Sequence, residues 1–182
     1  MQTERCAMYS IRTTLLGSIV LLLFASAAYA DSFGRPVTQD EIALWDIDVR
    51  PDGAGLPAGK GTVAEGKQLF DARCAVCHGT MGQGALKDKL VGGQGTLASD
   101  TPVKTVGSYW PYATTLFDYI RRAMPYPAPG TLNDDETYAL AAYILYLNGL
   151  APSDGVLDKE SIPKVKMPNR DGFIPDPVFK ID

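Results

Sequence analysis

Cys74-Ala75-Val76-Cys77-His78 is the stretch on which the reading of this chain turns. Two thiols separated by two residues on a helical turn can each form a thioether with one vinyl group of a porphyrin, and the imidazole of the next residue then falls beneath the iron. The pentapeptide predicts covalent attachment of one haem c through Cys74 and Cys77, with His78 as an axial ligand. Two other uses of a Cys-x-x-Cys pair are disfavoured by the rest of the chain. A zinc site needs four ligands, and the 182 residues contain three cysteines and one histidine, so no second pair exists. A redox pair of the thioredoxin kind calls for a βαβ setting, whereas a helical pattern precedes Cys74.

Composition leaves little else for thiol or imidazole chemistry, because the motif uses two of the three cysteines and the only histidine. The length suits one domain with or without extensions, and 46% hydrophobic residues suffice for a core. A net charge of −4 with no basic stripe argues against nucleic acid as a partner. Residues 1–30 read as a secretory signal: Arg5 and Arg12 form a positive n-region, Leu15 to Phe24 an apolar stretch, and Ala28-Tyr29-Ala30 a small-residue cleavage site. The competing reading is an uncleaved anchor, since Thr13 to Ala30 is 18 residues without a charge. The A-x-A ending and the polar sequence after it favour cleavage after Ala30, giving a periplasmic protein with no membrane attachment. Cys6 would leave with the signal.

The mature chain divides into an N-terminal extension over residues 31–61, a helical domain over 62–149 and a C-terminal extension over 150–182. In the first, Thr38-Gln39-Asp40-Glu41 matches a capping box and predicts a short helix ending near Asp46. The Gly- and Pro-rich run from Pro51 to Gly61 holds fragments of phosphate-binding motifs, but a P-loop would need Gly at position 54 and Ser or Thr at 61. Thr62-Val63-Ala64-Glu65 is a second capping box, opening an amphipathic helix through Gly66, Leu69 and Phe70 into Cys74. Gly66 costs such a helix about 1 kcal/mol relative to alanine, which a close helix crossing would explain. Residues 79–99 read as an irregular loop, with a short helical turn over Ala85 to Val91. Leu116, Phe117 and Ile120 predict a helix from Ala113 to Ala123, stopped by Met124-Pro125. Asn133, with Glu136 three residues on, caps a long helix from Asp134 to Asn148 whose apolar positions are Leu140, Tyr143, Ile144 and Leu147.

The iron's sixth position separates an electron carrier from an enzyme. Met81 follows His78 too closely to reach the opposite side of the ring, and Met167 lies in a Pro-rich, charged tail beyond the last helix. Met124, 46 positions after His78, has enough chain to pass round the porphyrin edge, and Pro125 would hold its backbone extended. A lone methionine is usually core packing, yet a haem with a vacant position makes Met124 the expected second axial ligand. Arg121, Arg122, Trp110 and Tyr112 are candidates for holding the haem propionates. The arginines are equally well read as solvated helix charges.

The order from Thr62 to Gly149, helix, CxxCH, loop, Met-Pro, C-terminal helix, resembles a class I cytochrome c. The resemblance implies an all-α fold around one covalent haem, with Gly66 and Phe70 meeting Tyr143 where the first and last helices cross. Class I cytochromes tend to carry a proline soon after the haem histidine, and the family's hydrogen bond to the histidine ring has no placed partner in this sequence. Here the first proline is Pro102. The run Val106-Gly107-Ser108-Tyr109-Trp110-Pro111-Tyr112-Ala113-Thr114-Thr115-Leu116-Phe117-Asp118-Tyr119-Ile120-Arg121-Arg122-Ala123-Met124-Pro125 carries a narrower resemblance. So do the stretches Trp45 to Gly53 and Lys166 to Phe173. All three are similar to the cytochrome subunit of the sulfur-oxidising sulfane dehydrogenase and of sulfite dehydrogenases. That likeness implies electron transfer from a periplasmic molybdenum dehydrogenase to a downstream cytochrome c or oxidase. The family's sulfane dehydrogenase subunit usually holds two haem domains, whereas this chain has one CxxCH. The alternative is a haem enzyme, a peroxidase or a sulfur-transforming cytochrome, with an accessible iron. Spaced apolar residues in both extensions, such as Trp45, Ile162, Val165, Met167 and Phe173, leave two readings of them: packing on the haem domain, or ordering against a partner.

Overall fold

Three side chains with an oxygen to offer decide where helices begin in the computed structural model, which describes residues 34–174 and Asp176. Thr38, Thr62 and Asn133 each accept a hydrogen bond from the backbone N–H three residues on, and the glutamate at that position returns a bond to the cap's own N–H. These reciprocal bonds satisfy amides that the first turn cannot pair within the helix. The signal-like stretch 1–30 lies outside the described residues.

The described residues fall into two units, divided between Asp46 and Ile47. Within the first, helix α1 (Gln39–Ala43) buries none of its residues. It is held locally by its Thr38–Glu41 box and by an ion pair between Arg35 and Glu41.

The second unit contains strand β1 (Lys60–Thr62), helices α2 (Val63–Arg73), α3 (Ala75–His78), α4 (Ala113–Ala123) and α5 (Asp134–Leu147), and strand β2 (Val156–Asp158). A 3-10 turn at Ile162–Lys164 follows. The sequence predicts one apolar stripe on α5, but every residue from Thr137 to Leu145 is buried. The physical reason is that α2, α4 and both strands pack against it, so the helix is enclosed on several sides.

The crossing of α2 over α5 is the closest approach. A Cβ added to Gly66 would stand 1.9 Å from the Ala139 carbonyl oxygen and 2.8 Å from the Tyr143 Cβ. Gly61 in the middle of β1 is equally confined, with the Ala139 nitrogen 2.1 Å from its hypothetical Cβ. Phe70, one turn beyond Gly66, meets the Tyr143 ring edge-on with centroids 5.3 Å apart. The contacts implied by the family resemblance are those found here.

The strands are not evident in the sequence. They pair antiparallel, Gly61 opposite Leu157, and tie the start of the helical domain to the chain beyond α5. Leu157, Ile162 and Met167 are buried in the same core as Phe70 and Leu140. The C-terminal stretch thus packs on the helical domain at least as far as Met167. Residues 47–61 join it as well: Val49 and Leu56 pack on the core, and the Tyr138 hydroxyl donates to the Pro57 carbonyl at 2.9 Å. Burial pushes that hydroxyl's pKa up to about 12.

Gly66→Ala should destabilise the haem-loaded protein by about 3 kcal/mol, since the new methyl meets backbone that cannot give way; a thermal or urea melt reads this. The Glu65 carboxylate, hydrogen-bonded by Thr62, is held below its ordinary value of 4.5. Its contribution to stability is therefore complete above pH 4.5 and is lost as the pH falls through the lowered folded value. Glu65→Gln should flatten this acid limb, measured as melting temperature against pH.

Candidate functional site

Cys74 breaks the helix that leads to it. Its backbone leaves the α region (φ −120°, ψ −35°), ending α2, and the next four residues form the single turn α3. The kink keeps the two sulfurs and the imidazole on one turn, all three lining a cavity of about 490 Å³. Both thiols are free and half-buried. Burial pushes the Cys74 thiol pKa up to about 11, with Cys77 adding to the rise and Arg73 opposing it.

The histidine ring has a fixed orientation. Its Nδ1 lies 2.9 Å from the Asp88 carbonyl oxygen. A carbonyl can only accept, so Nδ1 carries the proton and Nε2 keeps its lone pair for a metal. The hydrogen bond to the ring that the resemblance could not place thus goes to the Asp88 carbonyl. The stretch Ala85 to Val91, expected as a helical turn, is irregular instead. Its amides are spent across the loop: Lys87 N–H donates to the Cys77 carbonyl at 2.8 Å and Leu90 N–H to the Gly82 carbonyl at 2.8 Å.

Asn148 ties this loop down. Its Nδ2 donates to the carbonyls of Leu90 (3.1 Å) and Ile144 (2.9 Å). A Cβ at Gly107 would sit 2.1 Å from its Oδ1, so the turn beside it must be glycine. From the sequence Asn148 reads only as the end of α5. Its one signal in the sequence is an amide side chain directly after a long apolar helix.

Met124 lines the same cavity. It follows α4 directly, with an extended backbone (φ −120°, ψ 151°). Met81 is 57% exposed and Met167 is 4% exposed within the core, and neither lines the cavity. Most of the wall is apolar, with Phe70, Val106, Leu116, Ile120, Leu140 and Ile144 among its residues. The donor set, two free thiols, an imidazole held at Nδ1 by the Asp88 carbonyl, and a thioether, all on one mostly apolar cavity, fits a haem c.

Of the four candidates for the propionates, only Trp110 lines the cavity. Arg121 is paired with Asp134 at 3.1 Å, and Arg122 with Asp118 at 2.7 Å and Asp48 at 2.8 Å. The arginines are helix charges neutralised by neighbours. Tyr112 lies under the Arg170 guanidinium, 5.1 Å from its ring centroid. Lys104, not singled out in the sequence, also lines the cavity.

Residues 63–148 match the cytochrome c family model. The chain belongs to the cytochrome c family, which implies haem c as its cofactor. It is 47% identical to a chain of the crystal structure of the sulfane dehydrogenase SoxCD from Paracoccus pantotrophus. That superposition has a TM-score of 0.76 and covers 81% of this chain and 73% of the other. A thiosulfate dehydrogenase of Psychrobacter arcticus is 29% identical over 58% of this chain and 37% of its own length. A Cbb3-type cytochrome c oxidase subunit CcoP of an Azospirillum species is 35% identical over 65% of this chain and 40% of its own length. The chain thus spans about two fifths of each of these two curated relatives.

Asn148→Ala should leave the Leu90 carbonyl without its donor and cost about 2 kcal/mol. The loss is read in a thermal melt. Hydrogen exchange at the Leu90 and Lys87 amides should rise with it, because the loop that carries the Asp88 carbonyl loses its tie.

Proposed function

We propose that this chain is an exported mono-haem cytochrome that takes up and passes on single electrons. Cys74 and Cys77 are its thioether anchors, and His78 and Met124 its two axial ligands. The observation that carries this reading is the convergence of Met124 with a motif 46 positions earlier on one mostly apolar cavity. Haem c bound there supplies a one-electron ferric/ferrous couple.

The chain's own residues make the site a carrier rather than a place of reaction. The Asp88 carbonyl holds the His78 Nδ1 proton, which keeps Nε2 a lone-pair donor. With haem bound, the Met124 thioether would be a ligand that raises the potential and would leave no position for a substrate. The apolar wall keeps water away. Arg73, Lys87, Lys89 and Lys104 border the cavity with Asp88 as the acid among its lining residues, on a protein of net charge −4. A cationic rim of this kind favours an approaching partner with an acidic face.

The likeness to the SoxCD chain supports a molybdenum-containing sulfite or sulfane dehydrogenase as electron donor, with a downstream cytochrome c or oxidase as acceptor. Reading residues 1–30 as a cleaved signal puts the exchange in the periplasm, which fits covalent haem attachment outside the cytoplasmic membrane. Fractionation of cells followed by a haem stain tests the location. A pull-down with molybdenum analysis tests the partner.

Met124→Ala decides the ligand. The variant should keep its covalent haem, since both thioethers remain, but lose the thioether-to-iron charge-transfer band and have a lower potential. Reduced wild-type protein should bind carbon monoxide slowly and the variant rapidly. An unchanged spectrum in the variant removes Met124 as ligand, and rapid binding by the wild type supports the haem enzyme instead.

A further inference from the structure

Residues 167–173 do not line the cavity, yet they grip the segment that does. The Asn169 Nδ2 donates to the Tyr109 carbonyl at 2.7 Å. The Phe173 ring meets the Tyr109 ring edge-on, with centroids 5.2 Å apart. Arg170 lies over Tyr112. Between these two held tyrosines stands Trp110, a wall of the cavity, packed edge-on against Tyr119, which lines it too, at 5.6 Å.

Lys104 extends the same arrangement. It lines the cavity and also an adjoining surface groove bounded by Tyr109, Asn169 and Phe173, and its Nζ is 5.0 Å from the Tyr109 ring centroid. Residues 109–112 have no helix or strand to hold them before α4 begins. Among the described residues, neither the backbone N–H of Trp110 nor its indole N–H makes a hydrogen bond. Besides the Tyr119 and Lys104 contacts and the bond from the Tyr109 N–H to the Thr105 carbonyl, the tail adds three ties to this segment: one hydrogen bond, one aromatic contact and one cation–π contact. An indole donor and a lysine on a haem wall act on potential, because hydrogen bonding, nearby charge and solvent exposure all shift the ferric/ferrous balance.

We propose that Asn169, Arg170 and Phe173 are positioning residues for the cofactor: by holding Tyr109–Tyr112 and the adjoining Lys104 they keep Trp110 on the cavity wall and so set the haem potential. The proposal rests on the haem reading given above. It gives the C-terminal stretch a role in tuning the site as well as in closing the core.

The test is the midpoint potential of purified, haem-loaded full-length protein, read by spectroelectrochemical titration, with a thermal melt alongside. Asn169→Ala and Phe173→Ala should each retain covalent haem and shift the potential in the direction of Trp110→Phe, which loses the indole donor. Combining Asn169→Ala with Trp110→Phe should add little to Trp110→Phe alone, because both act through one side chain. Met167→Ala is the comparison: its side chain is buried in the core on the same stretch, so it should lower the melting temperature with the potential unmoved. If the Asn169 and Phe173 variants behave like Met167→Ala, the stretch is merely structural and the proposal is overturned. Should Asn169→Ala not fold, Asn169→Leu removes the same donor at nearly the same size without adding a charge and is read identically. A wild-type chain without covalent haem overturns the haem reading itself, whereas a haem-loaded chain indifferent to Asn169 overturns only this inference.

Discussion

The approach of α2 to α5 at Gly66, Ala139 and Tyr143 is the constraint on which the rest of the molecule depends. Only a residue without a Cβ lets α2 lie against the Ala139 carbonyl. Once it does, Phe70 seats on Tyr143. The helix end at Cys74 is then aimed so that α3 presents both thiols and the imidazole to the space between α4, α5 and the 87–90 loop. The packing of two backbones thus determines where chemistry is possible. The helix cost of about 1 kcal/mol for glycine is small beside what a methyl at this crossing would displace.

Around that crossing the chain closes a shell from remote pieces. The β1–β2 ribbon joins residues on either side of the helical domain, and Leu157, Ile162 and Met167 fill the core from beyond α5. Small cytochrome-type domains have little apolar surface of their own to bury. Here the flanking stretches 47–61 and 150–167 supply more of it, and in doing so they leave the cavity itself to side chains from the helices and loops between.

Features carried by side chains were legible in the sequence. The capping boxes at Thr38, Thr62 and Asn133 gave the helix starts, and Met124-Pro125 gave the end of α4, because each is a local rule with a fixed spacing. Met124 could be singled out by chain length from His78, and Gly66 by its conflict with helix propensity. Features carried by backbone atoms were not. Any residue can offer the carbonyl that Asp88 gives to His78, so no residue type marks it. The ribbon is three residues on each side, too short for alternation to show. Arg121 and Arg122 were equally good as anion ligands and as helix charges until Asp134, Asp118 and Asp48 were brought beside them.

The central claim is that His78 and Met124 hold one haem between them. Proton–carbon NMR of the reduced protein, with the methionine methyl groups labelled, tests it most directly, because a methyl on the iron sits in the porphyrin ring current. The account predicts one strongly displaced methionine methyl, assigned to Met124, with Met81 and Met167 at less perturbed positions. A spectrum with no such displaced methyl, or one in which it belongs to Met81 or Met167, contradicts it.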